Sequence, residues 1–207
     1  MTDQIIFDCD GVIVDSWGGH VELYADFARE NGFELRASDL ERAIDGSAAD
    51  FWKNMGVPDK FVGKLYEVYD KRFRDYEVHV FPGVVDMLSC LKSSGKRLSM
   101  ATFNRRCNLE GPLKECFPFF DKVLTYEDAR KGKVLNKAYQ LENLSKFYRK
   151  PFSDFRLVGD TRWDFDAAKE MGIDFVGVNY GWGNFEEGNG FPVVDGVAEL
   201  WEFLEKN

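Results

Sequence analysis

No cysteine of this chain stands in a CxxC pair, no apolar run approaches membrane-spanning length, and acids outnumber bases. Each absence excludes something. The four cysteines, Cys9, Cys90, Cys107 and Cys116, lack metal-ligand spacing, and a disulfide framework is not expected in a chain of 207 residues. A spanning helix needs about 20 apolar residues in succession, and none is present. The opening MTDQIIFD has no basic segment ahead of an apolar run and cleavage site, so no signal peptide is expected. With 27 Lys and Arg against 36 Asp and Glu, the formal net charge is −9. That balance argues against non-specific binding to nucleic acid or an anionic membrane, while leaving room for a small anion in a local basic pocket. Neither an internal repeat nor a low-complexity tract interrupts the chain. What remains is ordinary globular composition, 44% apolar and 30% charged, at a length suited to one core domain with a modest insertion. We expect a cytoplasmic protein with reduced thiols and no membrane partner.

The stretch around which the rest is organised is IIFDCDGVIVDS, from Ile5 to Ser16. Ile5, Ile6 and Phe7 form a short apolar run of the kind buried in a parallel sheet. Side chains alternate along a strand, so Asp8 and Asp10 point the same way in extended geometry. Gly11 permits the chain to bend just beyond them. Two carboxylates thus meet at the carboxyl edge of a strand, where open α/β sheets bind ligands. Their mutual repulsion asks for a cation, most simply a divalent metal held by oxygens. A bare Asp-x-Asp more often just makes turn bonds to the backbone. The full dodecapeptide is more specific, and it resembles the haloacid dehalogenase superfamily, within it the phosphatases that begin DxDGVxxDS.

Helical spacing follows over residues 21–31, 38–44, 48–55 and 59–76, the last helix opening after Pro58. No strand pattern breaks residues 17–79. From Phe81-Pro82-Gly83 the pattern alternates. Helices are predicted at 84–91, 109–116, 135–147 and 165–171, and strands at 96–101, 122–124, 155–159 and 175–178. The loop YGWGNFEEGNG then leads to Pro192-Val193-Val194 and a closing helix. Alternation of this kind implies right-handed crossovers and a parallel sheet. The expected fold is α/β, a Rossmann-like doubly wound parallel sheet core (residues 1–16 and 80–207) with an inserted all-helical cap (17–79). The insertion matches the helical caps of the superfamily.

Three further motifs are expected from the resemblance. RLSMATFN supplies Thr102, whose hydroxyl can bind a phosphoryl oxygen, as can the backbone amides at Phe103 and Asn104 beyond it. EDARKGKVLNKAY offers Lys131 and Lys133; Lys131-Gly132 fits the family's lysine better, and Lys133 stays a rival. FRLVGDTRWDFDAAKEMGI carries Gly159-Asp160 and then Asp164 at a helix opening, which matches GDxxxD. Taken singly, each has a plainer reading: Thr102 ends a strand, the lysines are a solvated cluster, and Asp164 suits a helix N-terminus on dipole grounds.

The resemblance implies Mg²⁺ held by Asp8, the backbone carbonyl of Asp10, and Asp160, with Asp164 in support. It implies Asp8 as nucleophile, Asp10 as general acid and base, and Thr102 and Lys131 beside the phosphoryl group, which Gly11, Phe103 and Asn104 help to bind. The substrate would be a small phosphorylated metabolite read by the cap. Asp10 argues against the dehalogenases, which lack a second aspartate. A β-phosphoglucomutase-like mutase is the alternative, since His20 occupies a comparable position on the first cap helix. Gly159 and the cap loop IDGSAAD depart from the mutase pattern and favour relatives of phosphoglycolate phosphatase. His20 is also a candidate substrate-binding residue on that helix; a lone His beside aromatics is more often packed than functional, and the same holds for Trp17, Phe51 and Trp52. Arg105-Arg106 can meet a second anionic group on a substrate, though a solvated helix start is the plainer reading. Lys53 is the one candidate for a Schiff-base lysine of a phosphonate hydrolase. A non-catalytic binding module is disfavoured because Asp8, Asp10 and Asp160 are all kept.

Overall fold

The structure is a computed structural model that describes residues 3–46, 50–131, 134–186, 188 and 190–206. In chain order its main elements are β1 (Gln4–Phe7), β2 (Val14–Asp15), α1 (Trp17–Glu30), α2 (Ala37–Asp45), α3 (Phe51–Met55), α4 (Asp59–Arg72) and β3 (His79–Val80). There follow α5 (Val84–Ser93), β4 (Arg97–Ala101), α6 (Arg106–Leu109), β5 (Lys122–Leu124), β6 (Arg130–Lys131), β7 (Val134–Leu135) and α7 (Lys137–Tyr148). The chain closes with β8 (Phe155–Gly159), α8 (Arg162–Met171), β9 (Asp174–Val178), β10 (Val193–Val194) and α9 (Val197–Lys206).

Six strands pair in parallel in the order β10-β9-β8-β1-β4-β5. β1 lies inside the sheet between β4 and β8 and is buried on both faces, which is why its sequence is apolar without alternation. Ile5 and Phe7 join one core with Val84, Met87, Leu88, Leu91, Leu200 and Leu204. Ile6 faces the other way, toward Leu141, Leu144, Ala167 and Ala168. The sheet is therefore covered by α5 and α9 on one side and by α7 and α8 on the other. The strand order reverses at β1, and its carboxyl end is where an open α/β sheet holds a ligand.

A separate core unites the helical insertion: Leu23, Phe27, Leu40, Ile44, Met55, Leu65 and Phe73 pack together, with Trp182 of the sheet domain against them. The insertion leaves and rejoins the sheet domain through a two-stranded antiparallel ribbon of β2 and β3, pairing Val14 with Val80 and Asp15 with His79.

Several boundaries differ from the sequence reading. The long cap helix ends at Arg72 and finishes as a single 3₁₀ turn, Phe73–Asp75. The helix expected over 109–116 is only Arg106–Leu109, after which the chain turns irregularly. Gly111 and Pro112 explain this, since neither favours a helix interior. The helix expected from 135 begins at Lys137, because Leu135 is in β7 and Asn136 caps the helix. The opening of the helix predicted over 48–55 falls partly outside the described residues.

Candidate active site

Three neighbouring strands end at one place. β1 runs into Asp8, β4 into Thr102 and β8 into Asp160. The Asp8 amide donates to the Val158 carbonyl at 2.9 Å, so Asp8 still belongs to the sheet register. Asp8, Asp160 and Asp164 are all buried, at 8%, 0% and 1% exposure. Carboxylates are rarely so buried unless they are paired.

The pairing group is Lys137. Its Nζ donates to Asp8 Oδ1 at 2.7 Å and to Asp164 Oδ1 at 2.5 Å. This corrects the sequence reading, which gave the lysine position to Lys131. Lys131 has its backbone in the β6–β7 hairpin, and Lys133 lies outside the described residues. Lys137 is the first residue of α7, with Asn136 as N-cap accepting from the Tyr139 amide at 3.3 Å. A cation at a helix N-terminus opposes the macrodipole, and here two carboxylates offset that cost. Asn then Lys at a helix opening is an ill-placed charge unless acids face it, a signal that does not say which acids those are.

Asp164 has both oxygens occupied. Oδ2 accepts from the Thr161 hydroxyl at 2.6 Å and the Thr161 amide at 3.2 Å, forming a capping box at the start of α8. Its helix-capping and site roles coexist, one per oxygen. Asp160 differs. Its Oδ2 accepts from the Trp182 amide at 2.7 Å, while Oδ1 is buried with no hydrogen-bond partner.

Burial pushes the Asp8 carboxyl up to about 7, more than the adjacent Lys137 ammonium pulls it down. Burial, then repulsion from Asp164 and Asp8, drives Asp160 well above the carboxylate range. Burial opposes the charge on Lys137, yet Asp164 and Asp8 outweigh it and hold the ammonium above the ordinary lysine range. Three carboxylates against one ammonium leave the cluster short of positive charge. Ligand oxygens from Asp8, Asp160 and Asp164 lie within 4.8 Å of one another. An orphaned carboxylate oxygen among oxygen donors suits a hard divalent cation, so the residues fit the expected metal.

Asp10 sits in the turn that closes by the Gly11 amide bonding Val14 O at 2.8 Å. The Ser16 hydroxyl donates to Asp10 Oδ1 at 2.7 Å, and Asn104 Nδ2 lies 3.1 Å from each Asp10 oxygen. Asn104 therefore turns its side chain to Asp10, and its amide donates to Thr102 Oγ1 at 3.0 Å. Thr102 is buried, and the Phe103 ring lies 5.6 Å from Lys137 Nζ. Gly11 has φ +77° and faces Asp160 Oδ2 so closely that a Cβ would overlap it. The YGWG loop follows β9 at the same sheet edge as these strand ends. It lies directly on Asp160, with Gly181 against both Gly11 O and Asp160 Oδ2.

The cap is docked over this floor. Trp163 Nε1 donates to Gly46 O at 2.6 Å, and Arg105 Nε pairs with Asp70 Oδ1 at 2.7 Å while its guanidinium lies 3.9 Å from the Tyr126 ring. Arg105 thus has an acidic partner within the protein. His20 is buried beside Phe73 and Trp182, with ring centroids 4.3 and 4.6 Å away, and both its nitrogens have polar neighbours. Lys53 is exposed.

Known proteins are similar to this chain in sequence and in fold. A model of the haloacid dehalogenase-like hydrolase family matches residues 5–178. The phosphoglycolate phosphatase of Salmonella choleraesuis (strain SC-B67) is 28% identical over 241 residues, covering 97% of this chain and 90% of that protein. Among solved structures, the haloacid dehalogenase-like family protein SP0104 from Streptococcus pneumoniae superposes with a TM-score of 0.79 at 21% identity, covering 97% of this chain and 98% of its own. Protein Tyrosine Kinase A of Mycobacterium tuberculosis superposes at 0.77 with 23% identity, covering 98% of both chains. At such identities the superpositions show the fold alone, and one fold hosts different chemistries. The family match extends over most of the chain and through the strands that end in Asp8, Thr102 and Asp160. This chain belongs to the haloacid dehalogenase-like hydrolases.

Proposed function

We propose that the protein is a Mg²⁺-dependent phosphatase that hydrolyses a small phosphomonoester through an aspartyl-phosphate on Asp8. The observation that carries this reading is the set of groups at Asp8: Lys137 Nζ on Oδ1 at 2.7 Å, with the unpartnered Asp160 Oδ1 in the same acidic cluster. Asp8 Oδ2 has no hydrogen bond among the described residues, so one carboxylate oxygen is held and the other is free to react.

In the first step Asp8 forms a bond to phosphorus as the ester P–O bond breaks, and Asp10 gives its proton to the leaving oxygen. In the second, water attacks phosphorus, Asp10 takes the water proton, and the Asp8–phosphorus bond breaks to release phosphate. Lys137 and the Thr102 hydroxyl meet the charge spread over the phosphoryl oxygens, where most of the catalysis of such transfers lies. Asp8, the Asp10 carbonyl and Asp160 would hold Mg²⁺, which supplies Lewis-acid polarisation of a phosphoryl oxygen. The docked cap excludes bulk water, and residues 17–79 are the unit we assign to it. The name carried by the Salmonella relative makes phosphoglycolate the first ester to try. Four unpaired cysteines suit a reducing compartment such as the cytoplasm.

The test is phosphate release from phosphoglycolate, sugar phosphates, nucleotides and an aryl phosphate, with Mg²⁺ and with chelator. Asp8→Asn is expected to lower turnover by at least ~10³-fold, in line with loss of a covalent nucleophile. Release that persists in Asp8→Asn would refute the aspartyl-phosphate. Isomerisation of a sugar phosphate without release would replace the phosphatase by a mutase.

A further inference from the structure

One hydroxyl joins the cap to Asp10. Tyr69, in the last turn of α4, places its OH 3.1 Å from His20 Nε2 on α1 and 3.1 Å from Asn104 Oδ1 after β4. Asn104 in turn donates to both oxygens of Asp10, and Asp10 accepts from Ser16. The path closes on itself, because the Ser16 carbonyl lies 2.8 Å from His20 Nδ1.

Counting protons makes the arrangement informative. A carbonyl only accepts, so Nδ1 of His20 carries the hydrogen. Burial lowers the His20 pKa, against the pull of Asp10 and the Ser16 carbonyl, so the imidazole is neutral and Nε2 is an acceptor. Burial also holds the Tyr69 phenol well above the usual tyrosine range. Tyr69 therefore has one proton and faces two acceptors, one in the cap and one in the sheet domain. Asn104 Oδ1 accepts in addition from the Arg105 amide at 2.8 Å and from Asn108 Nδ2 at 3.2 Å. Those donors fix which end of the Asn104 amide is oxygen, and so turn Nδ2 toward Asp10. Tyr69 is the member of that set carried by the helical insertion, on α4.

We propose that Tyr69 is a positioning residue: its hydroxyl, delivered by the docked cap, completes the orientation of Asn104 and thereby aims the Asp10 carboxyl for proton transfer. The inference rests on the phosphatase reading. It touches no reacting atom and predicts that a docked cap and a correctly aimed acid occur together. Because two donors remain on Asn104 without it, the loss on removing the hydroxyl is partial.

The leaving group reads this out. Nitrophenolate departs without a proton, whereas propoxide requires one, and kcat/KM reports the step in which the ester bond breaks. For Tyr69→Phe the ratio of kcat/KM for 4-nitrophenyl phosphate to that for propyl phosphate is expected to rise by about 10-fold, below the full worth of general acid catalysis. Asn104→Ala should move the ratio the same way and further. A ratio within twofold of wild type, whatever the fall in each rate, would overturn the proposal and leave Tyr69 a packing residue. Thermal melting accompanies the assay, and Tyr69→Met is read in the same way if the Phe variant does not fold. Wild-type protein that releases phosphate from neither these two esters nor any member of the wider panel would instead overturn the phosphatase reading, and this inference with it.

Discussion

Lys137 lies between Asp8 and Asp164 with almost no solvent contact, so its removal leaves two buried carboxyls without a counter-charge. Lys137→Met is expected to destabilise the metal-free protein by about 3 kcal/mol at pH 8, the low end for breaking a buried ion pair. The value is at the low end because Asp8 is able to protonate instead. Urea denaturation checks it, and the deficit should shrink on acidification. Turnover with Mg²⁺ should fall by roughly 10²-fold or more, since a fixed cation beside the transferring group is lost. A fully active Lys137→Met enzyme would refute its part in the chemistry. At this scale the sequence was readable where a motif is contiguous and misleading where it is not. Asp8, Asp10, Asp160 and Asp164 sit at fixed offsets from strand ends. The lysine is separated from its partners by 129 and 27 positions, and only the start of α7 decides which lysine arrives.

Among the elements, the loop after β9 has the role least visible beforehand. Its glycines permit the backbone to lie against Asp160, and the Trp182 amide fixes Asp160 Oδ2 at 2.7 Å. Gly181→Ala is expected to displace this loop and weaken Mg²⁺ binding about 10-fold or more, the usual scale for losing an outer-shell partner. Titration calorimetry with Mg²⁺ alone measures it, and unchanged affinity would show that the loop only packs. Composition identified YGWG as loop. Its job depended on the carboxyl ends of β8 and β9 being neighbours in the sheet. The β6–β7 hairpin likewise escaped a reading based on periodicity, because two-residue strands have no period.

For the whole molecule, the buried acids make stability depend on pH and metal together. Burial pushes the Asp8 carboxyl up to about 7, and burial with repulsion from Asp164 and Asp8 drives Asp160 well above the carboxylate range. A carboxyl that binds its proton more tightly when folded favours the native state at low pH, and that contribution is lost as pH rises through the folded value. Chelated protein should therefore lose melting temperature between pH 5.5 and 8. Mg²⁺ requires the ionised carboxylates, so the rise in melting temperature on adding it should be larger at pH 8 than at pH 5.5. Calorimetric scans at the two pH values decide this, and an equal rise at both would disconnect the acidic cluster from the metal. Among the described residues no helix is long and apolar enough to cross a membrane.

The sequence by itself determined the α/β class, the place of the helical insertion and the acids at the strand ends. Those features are written in local patterns: apolar runs, helical spacing and carboxylates a fixed number of residues past a strand. Tertiary structure alone decided which lysine neutralises them, which loop grips Asp160, and that Tyr69 and His20 of the cap meet Asn104 of the sheet domain. The physical reason is the same in each case. A charge or hydrogen bond is satisfied by whatever group packing brings within about 3 Å, and distance along the chain does not record that.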